Sequence, residues 1–127
     1  MGESNCMEFM AEQDMIELSN PGVLSKQILN PENSASARVT ITEVHLESGA
    51  CQPRHIHETS EQTWYAVQGD GKLLLADKQT KAFRKGDVVR FADGEVHGLL
   101  NDSEAAFMYI SVTSPPIDFG YAYENKK

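Results

Sequence analysis

The chain has 127 residues, 40% hydrophobic and 24% charged, with nine glycines and five prolines, which excludes a disordered or collagen-like chain and indicates one domain with a single core. Nineteen acidic residues against eleven basic ones leave a net charge of −8, so nucleic acid is not an expected partner: the field repels phosphate, and no Lys/Arg block opposes it. No apolar run approaches the ~20 residues of a membrane span, the acidic N-terminus lacks the pattern of a secretory signal, and Cys6 and Cys51 make no disulfide framework, so the expectation is a cytoplasmic protein without a membrane partner.

Residues 1–20 are the least patterned and read as an irregular N-terminal segment, with a short helix over 6–13 weighed against a frayed end. Val23–Leu29 reads as a strand, closed by the turn-rich run at 30–34. From Arg38 onward, β-rich runs at 38–46, 62–68, 72–76, 80–84, 88–91, 96–100 and 107–113 alternate with Gly-, Asp- and Asn-rich breaks. Strands this closely spaced, with no helical pattern between them, predict an all-β antiparallel sandwich or barrel over residues 21–115. Pro115 and Pro116 end the regular part. They leave a tail over 116–127 whose aromatic residues either fold over a barrel mouth as a lid, with Asp118 or Tyr121 reaching in, or dock elsewhere.

Two of the four histidines stand as His55-Ile56-His57. On a strand, residues i and i+2 share a face with Cα atoms ~6.6 Å apart, and two imidazoles so placed converge on one ion at ~2.1 Å per bond. The pair alone is a weak signal. Around it lie Gly49, five residues, His55, one residue, His57, four residues, Gln62, six residues, Gly69. Further on come Gly86, five residues, Ala92, one residue, Gly94, two residues, His97, three residues, Asn101. These two blocks resemble the paired motifs of the cupin superfamily, G-x5-H-x-H-x3,4-E-x6-G and G-x5-P-x-G-x2-H-x3-N.

The resemblance implies a double-stranded β-helix, the jelly-roll cupin barrel, with little or no helix. It also implies a divalent transition metal ion (Zn, Ni, Fe, Co or Mn) held inside by His55, His57, Gln62 and His97. Gln62 stands where Glu is commonest, and Ala92 where Pro closes the turn. Glu61 is the other candidate for the acidic position, but it projects to the opposite strand face, and only Gln62 keeps six residues to Gly69. Three imidazoles and one amide leave a divalent ion its full charge, which favours a small anionic chelator as partner and polarises a carbonyl strongly. Small cupins also imply a homodimer, with Val23–Leu29 adding to a neighbour's sheet edge.

The Gln-containing pattern, with Ser114, Pro115, Asp118 and Phe119 near the C-terminus, is similar to small cupins of pectin breakdown, which convert unsaturated uronates to keto forms. Their acidic residue on the last strand is Ser111 here, and their arginine after the Ser-Pro has no counterpart. The activity expected is therefore a broader one. It is an isomerase- or lyase-type proton transfer on a small oxygenated acid or sugar through a metal-stabilised enolate, with no catalytic base identified. An iron-dependent dioxygenase and a non-catalytic anion-binding module are the alternatives. Among the remaining residues, His45 reads as a hydrogen-bonded or exposed strand histidine, Cys51 as a small buried apolar group, and Trp64 as core or pocket wall. Ser111 and Thr113 read as interior filling.

Overall fold

The structure, a computed structural model, describes residues 6–127. Its strands are β1 (Ile16–Asn20), β2 (Val23–Leu29), β3 (Thr40–Leu46), β4 (Cys51–His55), β5 (Glu61–Gln68), β6 (Asp70–Leu74), β7 (Thr80–Arg84), β8 (Val88–Phe91), β9 (His97–Leu100), β10 (Phe107–Ser114) and β11 (Asn125–Lys126). Three short 3-10 turns complete the regular structure, and no α-helix occurs among the described residues. None of them is therefore a helix long and apolar enough to cross a membrane. Of the two readings weighed for 6–13, a short helix or a frayed end, neither describes the segment fully: its one regular element is a single 3-10 turn at Glu12–Asp14.

Every pairing is antiparallel. One sheet runs β11-β1-β2-β3-β10-β5-β8, and a second runs β4-β9-β6-β7. Two positions differ from the sequence reading. Strand β1 lies inside the segment read as irregular, because Leu18 is its one fully buried residue and alternation over five residues is too short to show. As a result β2 pairs on both sides, with β1 and β3. Val23–Leu29 is an interior strand and has no free edge to lend to a neighbour.

Period-2 alternation turns one face of each long strand inward: β3 and β10 alternate buried and half-buried residues along their whole lengths. The register then stacks inward residues in rows. Leu46 faces Phe107, Val44 faces Tyr109, Thr42 faces Ser111, and Thr40 faces Thr113. On the far side of β10, Ala66, Trp64 and Gln62 continue the last three rows. The interior thus grades from an apolar end to a polar end. Leu46, Phe83, Leu99 and Phe107 pack the first, each contributing on the order of 1.5–3 kcal/mol by leaving water. Hydroxyls and amides line the second.

Strands β4 and β9 join the two sequence motifs, with His55 opposite His97. This contact depends on Gly98. A Cβ there would lie 2.7 Å from Gln52 O and 3.0 Å from Arg54 N, both backbone atoms of β4. Asn101 locks the end of β9 by donating through Nδ2 to Leu46 O, Glu47 O and Ala105 O while Oδ1 accepts from Ser103. The final glycine-x2-His-x3-Asn residues of the second motif therefore include a structural member, Asn101.

The tail folds back across the barrel. Thr40 Oγ1 donates to Ile117 O and accepts from Ile117 N. The Asn20 side chain bonds Ala122 O and Glu124 N, and β11 pairs with β1. Replacing Gly98 by Ala is expected to cost about 1–3 kcal/mol by overpacking the β4–β9 contact, read as a lower urea midpoint. An unchanged midpoint would show that β4 yields without resistance.

Candidate metal centre

Strand β4 is an edge strand whose pairing with β9 is interrupted between Gln52 and His55, where Pro53 falls. His55 ends the strand and His57 lies two residues beyond it, so the two rings do not project in parallel from one regular strand as expected. The Gly94 N–H donates to His57 O at 2.7 Å, which ties the segment after β4 to the turn before β9. That turn holds without a proline: Ala92 N donates to Glu95 Oε1, and Gly94 takes φ +76°.

The three rings meet. Centroids of His55 and His97 are 4.3 Å apart, those of His55 and His57 5.0 Å, and those of His57 and His97 5.2 Å. One nitrogen from each lies within 4.8 Å of the others, close to the span that a single ion bonding imidazoles at ~2.1 Å bridges. The ring of His97 is buried, stacked on Phe91 at 4.7 Å and crossed edge-on by Trp64.

The outer nitrogens are committed. Nδ1 of His97 lies 2.8 Å from Glu95 O, and Nδ1 of His55 lies 2.8 Å from Pro53 O. A carbonyl only accepts, so each Nδ1 carries the proton and each Nε2 presents a lone pair, the arrangement that orients histidine ligands. Burial, with the neighbouring His55 ring, pushes His57 down to about 4. Burial also pushes His97 down to about 4 against the opposing hydrogen bond to Glu95. Both rings are neutral at pH 7. The Nε2 of His97 is buried with no hydrogen-bond partner, a costly condition that a bound cation relieves. The residues present fit a divalent transition metal.

Gln62 turns inward and is 5% exposed, whereas Glu61 turns outward onto Arg90 at 2.8 Å. The Gln62 amide is held at both ends: Nε2 donates to Thr113 Oγ1, and Oε1 accepts from Trp64 Nε1, each at 2.9 Å. The indole N–H is donor-only and so fixes which end is oxygen. That oxygen keeps a second lone pair, and Gln62 lines the same cavity as His55 and His57.

The cavity measures about 270 Å³. Its walls include Trp64, Tyr109, Ser111, Phe119, Tyr121 and Tyr123. The tail lines this cavity: Phe119 is buried with its ring 5.7 Å from that of His57, and of the two residues expected to reach in, Tyr121 is on the wall while Asp118 instead accepts from Gly120 N. Tyr121 lines the cavity while staying largely exposed. Tyr123, which the sequence did not single out, stands beside Ser25 and Gln52, and Tyr109 donates to Gln52 Oε1 at 2.6 Å. Burial raises both phenols above their ordinary range, so both stay protonated. Cys51 lines the wall but is exposed rather than buried, because it opens an edge strand with little burial along it. His45 is the strand histidine expected, bonded to Glu43 at 2.7 Å.

Two antiparallel sheets around one core, with three converging imidazoles at the polar end, define a β-barrel protein whose interior is able to hold a metal ion. The chain belongs to the cupin family: the cupin-domain model matches residues 42–113, which take in both motifs. It is 23% identical over 116 residues to the uncharacterized protein MJ1618 of Methanocaldococcus jannaschii, covering 90% of this chain and 89% of that one. The structure of KdgF from Halomonas sp. superposes with a TM-score of 0.74 at 22% identity, over 89% of this chain and 97% of that one. That of the polyketide cyclase RemF from Streptomyces resistomycificus gives 0.74 at 19% identity, over 87% and 80%. At these identities the likeness is one of fold.

Gln62→Leu leaves the Trp64 indole N–H and the Thr113 hydroxyl without their partner, and an unmet buried polar group costs about 1–3 kcal/mol. Chemical denaturation should show that loss, and Gln62→Glu should recover less than half of it, since the buried carboxylate would carry a charge with no cation paired to it.

Proposed function

We propose that this cupin is a metal-dependent enzyme that moves a proton on a small oxygenated anion, an isomerase- or lyase-type reaction. The observation that carries the reading is the buried, partnerless Nε2 of His97, set beside two further imidazoles in a cavity open to a small molecule. His55, His57 and His97 hold the ion, with Gln62 Oε1 as the fourth donor through its second lone pair. Such a donor set is neutral, so a divalent ion keeps its full charge and supplies an electrophilic centre beside which negative charge on a substrate oxygen is stabilised.

The chain's own residues do the rest. The carbonyls of Pro53 and Glu95 hold the Nδ1 protons of His55 and His97, so those rings stay in the tautomer that presents Nε2. Phe91 and Trp64 fix the plane of His97, and Phe119 shields one edge of His57 from water. Ser111 Oγ, buried and without a partner on the cavity wall, is the hydroxyl available to hand a proton to a substrate oxygen or to hold it. The RemF barrel, which serves a polyketide cyclase, supports an enzymatic use of this architecture.

Elemental analysis of the purified chain and of His55→Ala tests the reading. His55 is exposed, so its loss spares the core. The native chain should carry or take up close to one equivalent of Zn, Ni, Fe, Co or Mn, and the variant should fall at least tenfold in affinity. A native chain that takes up none of these ions ends the reading. With the loaded chain, solvent deuterium should enter the carbon next to the carbonyl of a substrate keto acid. Turnover that disappears under anaerobic conditions with iron would instead indicate a dioxygenase.

A further inference from the structure

The wall of the cavity carries no charge. None of the described residues lining it is Lys, Arg, Asp or Glu. Arg54 is next to His55 in the chain, but its guanidinium is spent elsewhere, with Nε on Leu75 O at 2.7 Å and Nη2 on Gln79 O at 3.2 Å. Beyond the three histidines, the polar atom waiting for a partner is Ser111 Oγ, on a residue 3% exposed that faces Trp64 across β10 and β5. The Tyr109 hydroxyl is already bonded to Gln52, and Tyr123 stands beside Ser25 and Gln52. Five of the remaining wall residues are aromatic, Trp64, Tyr109, Phe119, Tyr121 and Tyr123, and the others are aliphatic, such as Val23 and Val44, or uncharged and polar, such as Thr42 and Gln52.

We infer that the substrate of this site carries one anionic, chelating end and an uncharged, flat, largely apolar body, and that the cavity discriminates against a second anionic group such as another carboxylate or a phosphate. The inference rests on the metal-dependent reading above and deepens it. A second anion would be buried without a counter-charge, which is unfavourable, inside a chain whose net charge is already −8. A flat body gains contact with indole, phenol and phenyl faces, which favour offset or edge-on packing at 4.5–7 Å. Size agrees: about 270 Å³ is less than twice the ~150 Å³ cavity that accommodates one benzene, room for a single ring with a short chelating group.

The test is calorimetric titration of the metal-loaded full chain with three α-keto acids that share one chelating end: pyruvate, 2-oxoglutarate and benzoylformate. Benzoylformate should bind at least tenfold tighter than either of the others. Phe119→Ala should weaken benzoylformate at least fivefold while leaving pyruvate within twofold, since the lost ring meets the body and not the chelating end. Equal or tighter binding of 2-oxoglutarate, or no binding of benzoylformate to a sample carrying one equivalent of metal, overturns the inference while leaving the metal centre standing. A sample shown by elemental analysis to take up no metal removes the underlying reading, and this one with it.

Discussion

The close approach of β4 to β9 is the constraint on which the rest of the molecule depends. His55 faces His97 across it, and Gly98 permits it by leaving no side chain against the β4 backbone. Two motifs distant in the chain become one site only because these backbones lie this near. The contact is made at an edge strand that a proline interrupts. Irregularity there frees His57 from the pleat and lets its ring swing toward the other two, where a regular strand would hold the pair parallel. The Gly94–His57 hydrogen bond then restores the order the strand gave up.

Inside the barrel, polar groups are nearly all accounted for, which makes the exceptions informative. Thr113, Gln62 and Trp64 form a closed chain of donors and acceptors. Asn30, Gln27 and Ser25 form another on β2 and the turn after it. Against that background, among the described residues, two buried side-chain atoms stand without a partner, His97 Nε2 and Ser111 Oγ. Unmet groups of this kind cost stability. A gradient along the barrel axis explains why they occur at one end. The register places Leu46 and Phe107 in one row and Thr40 and Thr113 three rows away, so apolar packing at one end supports a polar end at the other.

The tail converts an open barrel end into a shaped cavity. It is fastened at Thr40 on β3 and, through Asn20 and the pairing of β11, at two points on β1. What it contributes to the wall is aromatic and uncharged. The chain as a whole is strongly acidic, whereas none of the described residues on the cavity wall is Lys, Arg, Asp or Glu.

Much of this was legible in the chain. Alternating β-rich runs placed most of the strands to within a residue or two, since period-2 burial writes itself directly into apolar spacing. Glycine and histidine spacing identified the cupin motifs, the inward side of Gln62 and the trio of imidazoles. Strand β1, the exposure of Cys51, the displacement of His57 from its strand, the role of Gly98 and the entry of Phe119 and Tyr123 into the cavity were not legible. Each of these depends on which strands are edges and which distant segments touch. The sequence by itself determined the class of fold and the residue types of the centre, because both rest on local periodicity and fixed spacing. Only the tertiary structure decided the shape and neutrality of the cavity, because those arise where the C-terminal tail crosses strands from the other end of the chain.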